Sequence, residues 1–453
     1  MTADHPLLSA FRRAAQRVPA YGQVLAEGGV DPADVRSLDD FLALVPVLDK
    51  ESTFGRFRVA DLCCDGDLAR PNAVLTSSGH SGLFAFGLYH ADTGEQEARR
   101  IDDALDGVFG IRSKPTLMIN CLPMGVKVYS RECTLGETSV RADMVAALVQ
   151  QFGAHHEQII LVGETAFIKH VLEFGQSQGI CWQDLLVHVI VGEEPIAENA
   201  RAYLLGLLGV DANGAGGGWI VSSMGVAELG LNLFFELPAL AAMRRAMHRD
   251  RSAARALARG GGTMPMIFTY DPGRLFLETD EDGGLLVSTL DLDRRLPLIR
   301  YRTGDSATLV PDPGELIDMA GMAGRGPEPP EKLPLVLIHG RGRWAQAGNS
   351  RVYPEAVKEV LYHDPALARL ITANFRIRSG PQRALLRIQL SPGVDAKPEL
   401  PGQFARAARH HITAGLEIVC QEYAAFGNGM ALDYERKFDY LEEDTPPNGA
   451  RGK

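Results

Sequence analysis

Between Pro115 and Ser222, short apolar runs alternate with segments of helical period, and the connections are brief. Thr116-Leu117-Met118-Ile119-Asn120, Ile159-Ile160-Leu161-Val162-Gly163, Val187-His188-Val189-Ile190-Val191-Gly192 and Trp219-Ile220-Val221-Ser222 read as strands. Between them Met144, Val145, Leu148, Val149 and Phe152, then Phe167, Ile168, Val171 and Leu172, then Ala200, Tyr203, Leu204 and Leu207 recur at helical spacing. Strands apolar on both faces must be covered on both faces, and strand–helix alternation does this with a parallel sheet. Ligands then collect at the carboxyl ends of the strands.

The period changes downstream. Met266–Tyr270, Leu275–Thr279 and Leu285–Leu290 are short strands separated by Asp271-Pro272-Gly273 and Asp282-Gly283-Gly284, which predicts an antiparallel subdomain. Residues 311–332, rich in Pro, Gly and Glu, read as a linker. Beyond it come a strand at Leu335–Ile338, a helix opened by Pro354, strands near Leu370–Arg378 and Ala384–Leu390, and a helix around Phe404–Ile412. At the amino end, Leu7, Leu8 and Phe11 share a helical face, and Leu42, Leu44, Val45 and Val47 read as a short buried stretch. A chain of 453 residues exceeds what one core comfortably serves. The expected architecture is α/β: a large domain over 1–339 and a small α+β domain over 340–453.

Composition removes other classes. Hydrophobic residues are 45% and charged residues 23%, an ordinary globular balance. With 46 Lys plus Arg against 57 Asp plus Glu, the net charge of -11 disfavours non-specific nucleic-acid binding but leaves room for a nucleotide site. No apolar run approaches the roughly 20 residues that span a bilayer, and Met1-Thr2-Ala3-Asp4-His5 has no basic start before an apolar stretch. The six cysteines form no C-x-x-C pair, as expected of reduced thiols in a cytoplasmic protein. His155-His156 and His410-His411 are adjacent pairs whose side chains diverge, so they make poor metal clusters; His188, inside an apolar strand, reads as a core histidine.

Several segments can carry chemistry. Thr76-Ser77-Ser78-Gly79-His80-Ser81-Gly82 follows an apolar run, and its glycines and hydroxyls can aim several donors at a phosphate. Read alone it is equally an ordinary Ser/Gly turn. Met224-Gly225-Val226-Ala227-Glu228 lies past the fourth strand, where a carboxylate can hold Mg²⁺ or merely start a helix. Pro297-Leu298-Ile299-Arg300-Tyr301-Arg302-Thr303-Gly304-Asp305 places Asp305 after a glycine turn, where it can accept from vicinal hydroxyls or simply close an Asx turn. Asn213 to Gly218 is glycine-rich but precedes a strand, unlike a dinucleotide loop.

Together these segments resemble the adenylate-forming ligases, the superfamily of acyl-CoA synthetases, luciferase and adenylation domains, and most nearly its phenylacetate–CoA ligase branch. The string Gly284 to Leu290, a spacer, then Pro297 to Asp305 carries the resemblance to that branch. Thr76 to Gly82 resembles its phosphate loop, Gly192-Glu193-Glu194-Pro195 its segment beside the adenine, and Met224 to Glu228 its Tyr-Gly-x-Ser/Thr-Glu motif. Gly340-Arg341 and Val352-Tyr353-Pro354-Glu355 resemble its hinge. The departures are His80 and Ser81 in place of two threonines, Leu83 where Lys is common, Met224 for Tyr, Arg343-Trp344 for the hinge aspartates, and Asn349 for a glycine bordering the thiol channel. The string Gly429 to Lys437 is similar to ligases of phenazine antibiotic pathways.

The resemblance implies activation of a carboxylic acid, aromatic by family habit, as acyl-AMP. ATP and Mg²⁺ are the implied cofactors, and CoA, a carrier protein or a reductase are alternative acceptors. It implies that Thr76 to Gly82 hold the phosphates, Glu193, Glu194, Pro195, Met224 and Gly225 border the adenine, Glu228 holds Mg²⁺, Asp305 fixes the ribose and Arg341 opens the hinge. Lys437 is the candidate catalytic lysine, a solvated lysine of a charged tail being the other reading. The acid pocket is expected near Gly217, Gly218 and Met224. A homodimer is the commonest assembly for such a chain. The competing reading is a degenerate homologue that binds nucleotide or small acid without turnover.

Overall fold

The computed structural model describes residues 5–77, 82–123, 126–210, 217–258, 263–323, 333–427, 434 and 438–442. A hairpin of β1 (Ala73–Thr76) and β2 (Phe86–Tyr89) stands apart from one eleven-stranded mixed sheet. That sheet contains β3 (Thr116–Asn120), β4 (Thr134–Glu137), β5 (Gln158–Gly163), β6 (Val187–Val191), β7 (Ile220–Val226) and β8 (Gly230–Phe235). It continues through β9 (Met266–Thr269), β10 (Leu275–Thr279), β11 (Gly284–Thr289), β12 (Tyr301–Val310) and β13 (Leu335–Gly340).

The order is β10-β11-β12-β13-β9-β8-β7-β6-β5-β3-β4. From β4 to β7 every pairing is parallel, and from β7 onward every pairing is antiparallel. The expected parallel and antiparallel parts are therefore halves of one sheet. In the parallel half β3 and β5 are buried throughout. Their alternate residues feed different cores, with Leu117, Ile119, Ile159 and Leu161 on one face and Met118, Ile160 and Val162 on the other. Helices Ala142–Phe152, Thr165–Ser177 and Glu198–Leu207 cover the first face, and Ala91–Phe109 and Pro238–Arg249 the second.

The carboxyl-terminal unit contains the hairpin β14 (Ala345–Ala347) and β15 (Ser350–Val352) and a four-stranded sheet. That sheet joins β16 (Ile371–Arg378), β17 (Ala384–Leu390), β18 (Leu416–Gln421) and β19 (Leu441–Glu442) in the order β18-β17-β16-β19. Helices Pro354–Leu361 and Leu400–Ala408 accompany it. The fold is thus a large α/β unit followed by a small α+β unit.

The structure corrects several readings. The stretch 311–332 does not part the two units, because β13 returns to the middle of the large sheet between β12 and β9, and Pro313–Met319 is a helix packed on it. Of the apolar stretch near residue 45 only Val45 is buried; Leu42, Leu44 and Val47 are exposed, since the helix Leu38–Leu44 turns just one face inward, through Phe41. Met144 and Phe152 face outward from their helix. The fourth strand runs on to Val226, so Met224, Gly225 and Val226 lie within it and only Ala227 and Glu228 lie beyond.

Candidate active site

The Pro297–Asp305 segment organises its surroundings through its backbone. Leu48 N–H donates to the Arg300 carbonyl at 3.0 Å and Arg302 N–H to the Leu48 carbonyl at 2.7 Å, a parallel bridge that brings residues 48–50 beside β12. Arg300 holds the same segment from its side chain, donating to the carbonyls of Leu42 and Val45 and pairing with Glu278 at 2.9 Å. Asp49 and Ser52 cap the turn that follows, with each backbone N–H bonded to the other's side chain at 2.8 Å. So fixed, Lys50 reaches the β1–β2 hairpin, where its Nζ donates to Ser77 Oγ at 2.9 Å. Ser77 Oγ also accepts from Ala85 N–H at 2.9 Å, across the mouth of the loop. Burial lowers the Lys50 ammonium from its usual range, Glu228 opposes that shift, and Arg341 adds to it.

Glu228 is buried and accepts from the Tyr301 hydroxyl at 2.7 Å. Burial and the Glu228 charge push the Tyr301 phenol far above the ordinary tyrosine value, so it remains a donor. Arg294 fixes the main chain at the same turn, donating to the carbonyls of Glu228 at 2.6 Å and Leu229 at 2.7 Å. The β1–β2 hairpin packs directly on this turn. A Cβ at Gly87 would stand 2.0 Å from the Ala227 carbonyl oxygen, so only glycine permits the approach. The Ser77 hairpin and the Glu228 turn are thereby locked together.

Asp305 is buried on β12, after Gly304 at φ +86° and beside a register shift in the pairing with β13. Its backbone N–H donates to Thr303 Oγ1 at 3.2 Å, and its carboxylate lies 3.5 Å from Arg341 Nε. Glu193, Glu194 and Pro195 follow the carboxyl end of β6, with Glu193 in the left-handed region at φ +70°. Glu194 is buried and is held by residues of the small unit: Lys358, in a close ion pair, and Tyr440, whose hydroxyl donates at 2.9 Å.

The structure therefore gathers Ser77, Glu228, Asp305 and Arg341 around Lys50 and Tyr301. Thr76 and Gly82 flank the loop, both exposed and Gly82 at φ +78°. Met224 and Gly225 lie on β7 just before the Glu228 turn. Ser78, Gly79, His80, Ser81 and the candidate lysine Lys437 lie outside the described residues. On either side of Lys437, Tyr434 and Phe438 are buried. Gly217 and Gly218 are not at this site. They precede β7, with Gly218 packed on the Val187 carbonyl at the amino end of β6, so they lie roughly 20 Å along the strand from Met224. The expected acid pocket cannot include all three.

Lys50, Tyr301, Arg294, Lys358 and Tyr440 were not singled out by sequence reasoning. Tyr301 lay inside the most distinctive string, but Lys50 sits in a turn with no local signal, and its place depends on the long-range bridge to β12. His188 is the core histidine expected: its Nδ1 accepts from Trp219 N–H at 3.1 Å, and burial, reinforced by Lys114, lowers its pKa to about 4. His411 departs from the expected surface pair, lying half-buried with its Nε2 3.0 Å from His363 Nδ1.

No cluster of three or more His, Cys, Asp or Glu among the described residues could hold a metal by itself. Mg²⁺ does not need one, since it commonly takes one or two carboxylates together with substrate phosphates and water. A buried carboxylate anchored through one oxygen, as Glu228 is, fits that demand.

No family profile and no curated protein matches the chain. Among solved structures it is similar to 2-hydroxyisobutyryl-CoA ligase in the postadenylation state in complex with 2-HIB-AMP, with a TM-score of 0.67 at 14% identity over 97% of this chain and 88% of that one. The same ligase with R3-HIB-AMP gives 0.66 at 15% identity over the same shares. Its open conformation with 2-HIB-AMP and CoA gives 0.52 at 14% identity over 97% of this chain and 90% of that one. The chain thus shares the fold of this ligase.

Proposed function

We propose that this chain joins a carboxylic acid to AMP. A carboxylate oxygen attacks the α-phosphorus of ATP, the bond to the β-phosphate oxygen breaks, and pyrophosphate leaves with its electron pair. The obstacle is repulsion between carboxylate and triphosphate, and the site answers it with cations of its own. The carrying observation is the convergence of Lys50 and Ser77, Glu228 and Tyr301, and Asp305 and Arg341 in a fold of this kind.

In this reading the Thr76 to Gly82 loop holds the phosphates and Lys50 meets the charge that develops on them. Glu228, oriented by Tyr301 and Arg294, holds Mg²⁺, which when bound screens the phosphates. Asp305 accepts from the ribose hydroxyls and so sets the line of attack. Glu193, Glu194, Pro195, Met224 and Gly225 border the base. The small domain begins at residue 340, with Arg341 to Arg343 as its pivot, and carries Lys437 to and from the site. The acid is aromatic and belongs to natural-product metabolism, as the family resemblance suggests. The acceptor is CoA or another thiol, since the solved ligase of this fold is seen with CoA.

ATP–pyrophosphate exchange over a panel of aryl and alkyl acids tests the reading. The expected result is exchange dependent on one class of acid. Folded protein that binds ATP yet exchanges with none of them would instead make it the degenerate, nucleotide-binding homologue.

A further inference from the structure

The two units meet through buried polar contacts that neighbouring residues of one helix supply. On Pro354–Leu361, Lys358 pairs with Glu194 while lying 4.7 Å from the Tyr440 ring, whose hydroxyl donates to the same Glu194 oxygen at 2.9 Å. The next residue, Glu359, turns to the helix Glu198–Leu207. Its two carboxylate oxygens accept from the backbone N–H groups of Glu198 at 2.8 Å and Asn199 at 3.0 Å.

Those N–H groups open a helix, where the chain itself offers them no acceptor. The residue at the cap position is Ala197, which makes no side-chain cap. A carboxylate from the small unit completes the helix of the large one. Nearby, buried Lys169 donates across the same seam to the Ile371 carbonyl at 2.7 Å. A buried charge left without its partner is strongly unfavourable, so the units must stay docked for these groups to stay satisfied.

We propose that Glu194, Lys358 and Tyr440, together with Glu359 on the amino end of Glu198–Leu207, form a latch that holds the small unit docked and must open before it takes up another disposition. The inference rests on the ligase reading for its meaning, because Glu194 belongs to the segment placed beside the nucleotide. Docking would then bind the small unit to the same segment that the base uses, so the latch sets how readily the chain leaves this arrangement.

Hydrogen exchange followed by mass spectrometry on the full chain without nucleotide tests the latch. The amides of Glu198 and Asn199 report docking directly, since Glu359 is their acceptor. They should be protected in the wild type and exchange at least tenfold faster in Glu194→Gln and in Lys358→Met. Peptides from β5 and β6 should keep wild-type protection, and Lys358→Arg should stay near the wild type. Unchanged protection at 198 and 199 in folded Glu194→Gln and Lys358→Met would overturn the proposal. Should either variant lose protection throughout, the combined Glu194→Gln, Lys358→Met chain, which strands no charge, decides: fast exchange confined to 198 and 199 supports the latch, and wild-type protection there overturns it. Because no nucleotide is present, either outcome is independent of whether pyrophosphate exchange occurs.

Discussion

Lys50 has one short contact to a loop hydroxyl and feels the charges of Glu228 and Arg341. In the proposed reading, a partly desolvated ammonium beside Ser77 is pre-paid positive charge, which acts where negative charge develops. Lys50→Met keeps most of the volume and removes the charge. We expect acid-dependent pyrophosphate exchange to fall by about 100-fold, in line with loss of one preorganised electrostatic group. Lys50→Arg should recover part of it, and the melting temperature should move little, because the lysine is solvated from one side. Glu228 and Asp305 were legible in the sequence because both sit in ordered strings with a turn or a glycine beside them. Lys50 was not, because what places it is the bridge from Leu48 to Tyr301, and no local pattern records a pairing so distant along the chain.

At the scale of elements, the helix Glu198–Leu207 borrows its cap from Glu359, which also lies 3.4 Å from His248 Nε2. Glu198, Arg244, Asn199 and His411 complete the surroundings. Burial raises the Glu359 pKa, but His248 and the two backbone donors outweigh it, so the carboxyl ends below the ordinary 4.5. For His248 burial works downward and Glu359 upward, and the imidazole ends above the ordinary 6.5. The depressed carboxyl gives stability that is present above about pH 4.5 and fades as pH falls through its folded value. The raised imidazole gives stability that is complete below about pH 6.5 and fades as pH rises through its folded value. Both act together between those limits. The melting-temperature difference between wild type and His248→Gln should therefore be largest near pH 5 to 6 and shrink above neutrality, which thermal scans across pH would show. Long apolar elements such as β3, β5 and β6 could be read from the chain, whereas β4, β8, β18 and β19 could not. Strand β19 has only two residues, and the exposed β4 lacks the apolar run that marked its neighbours. Such strands exist by virtue of their partners.

For the whole molecule, none of its described helices is long and apolar enough to cross a membrane. The sequence distinguished a large and a small unit through the Pro-, Gly- and Glu-rich stretch 311–332 and the hinge-like string at Gly340-Arg341, but reading that stretch as a linker missed that β13, beyond it, pairs inside the large sheet. Residues 335–340 come back between β12 and β9, so the antiparallel half of the large sheet is incomplete until they arrive. A growing polypeptide leaving the ribosome thus holds the edge of β9 open from Thr269, and that of β12 from Val310, until Leu335 is made, an invitation to wrong pairing. Chains truncated just before Leu335 should aggregate, while chains that run a few residues past Gly340 should remain in the supernatant, as sedimentation of the two would reveal. The last strand to emerge into this sheet is the keystone of its antiparallel half, and the small unit follows directly from it.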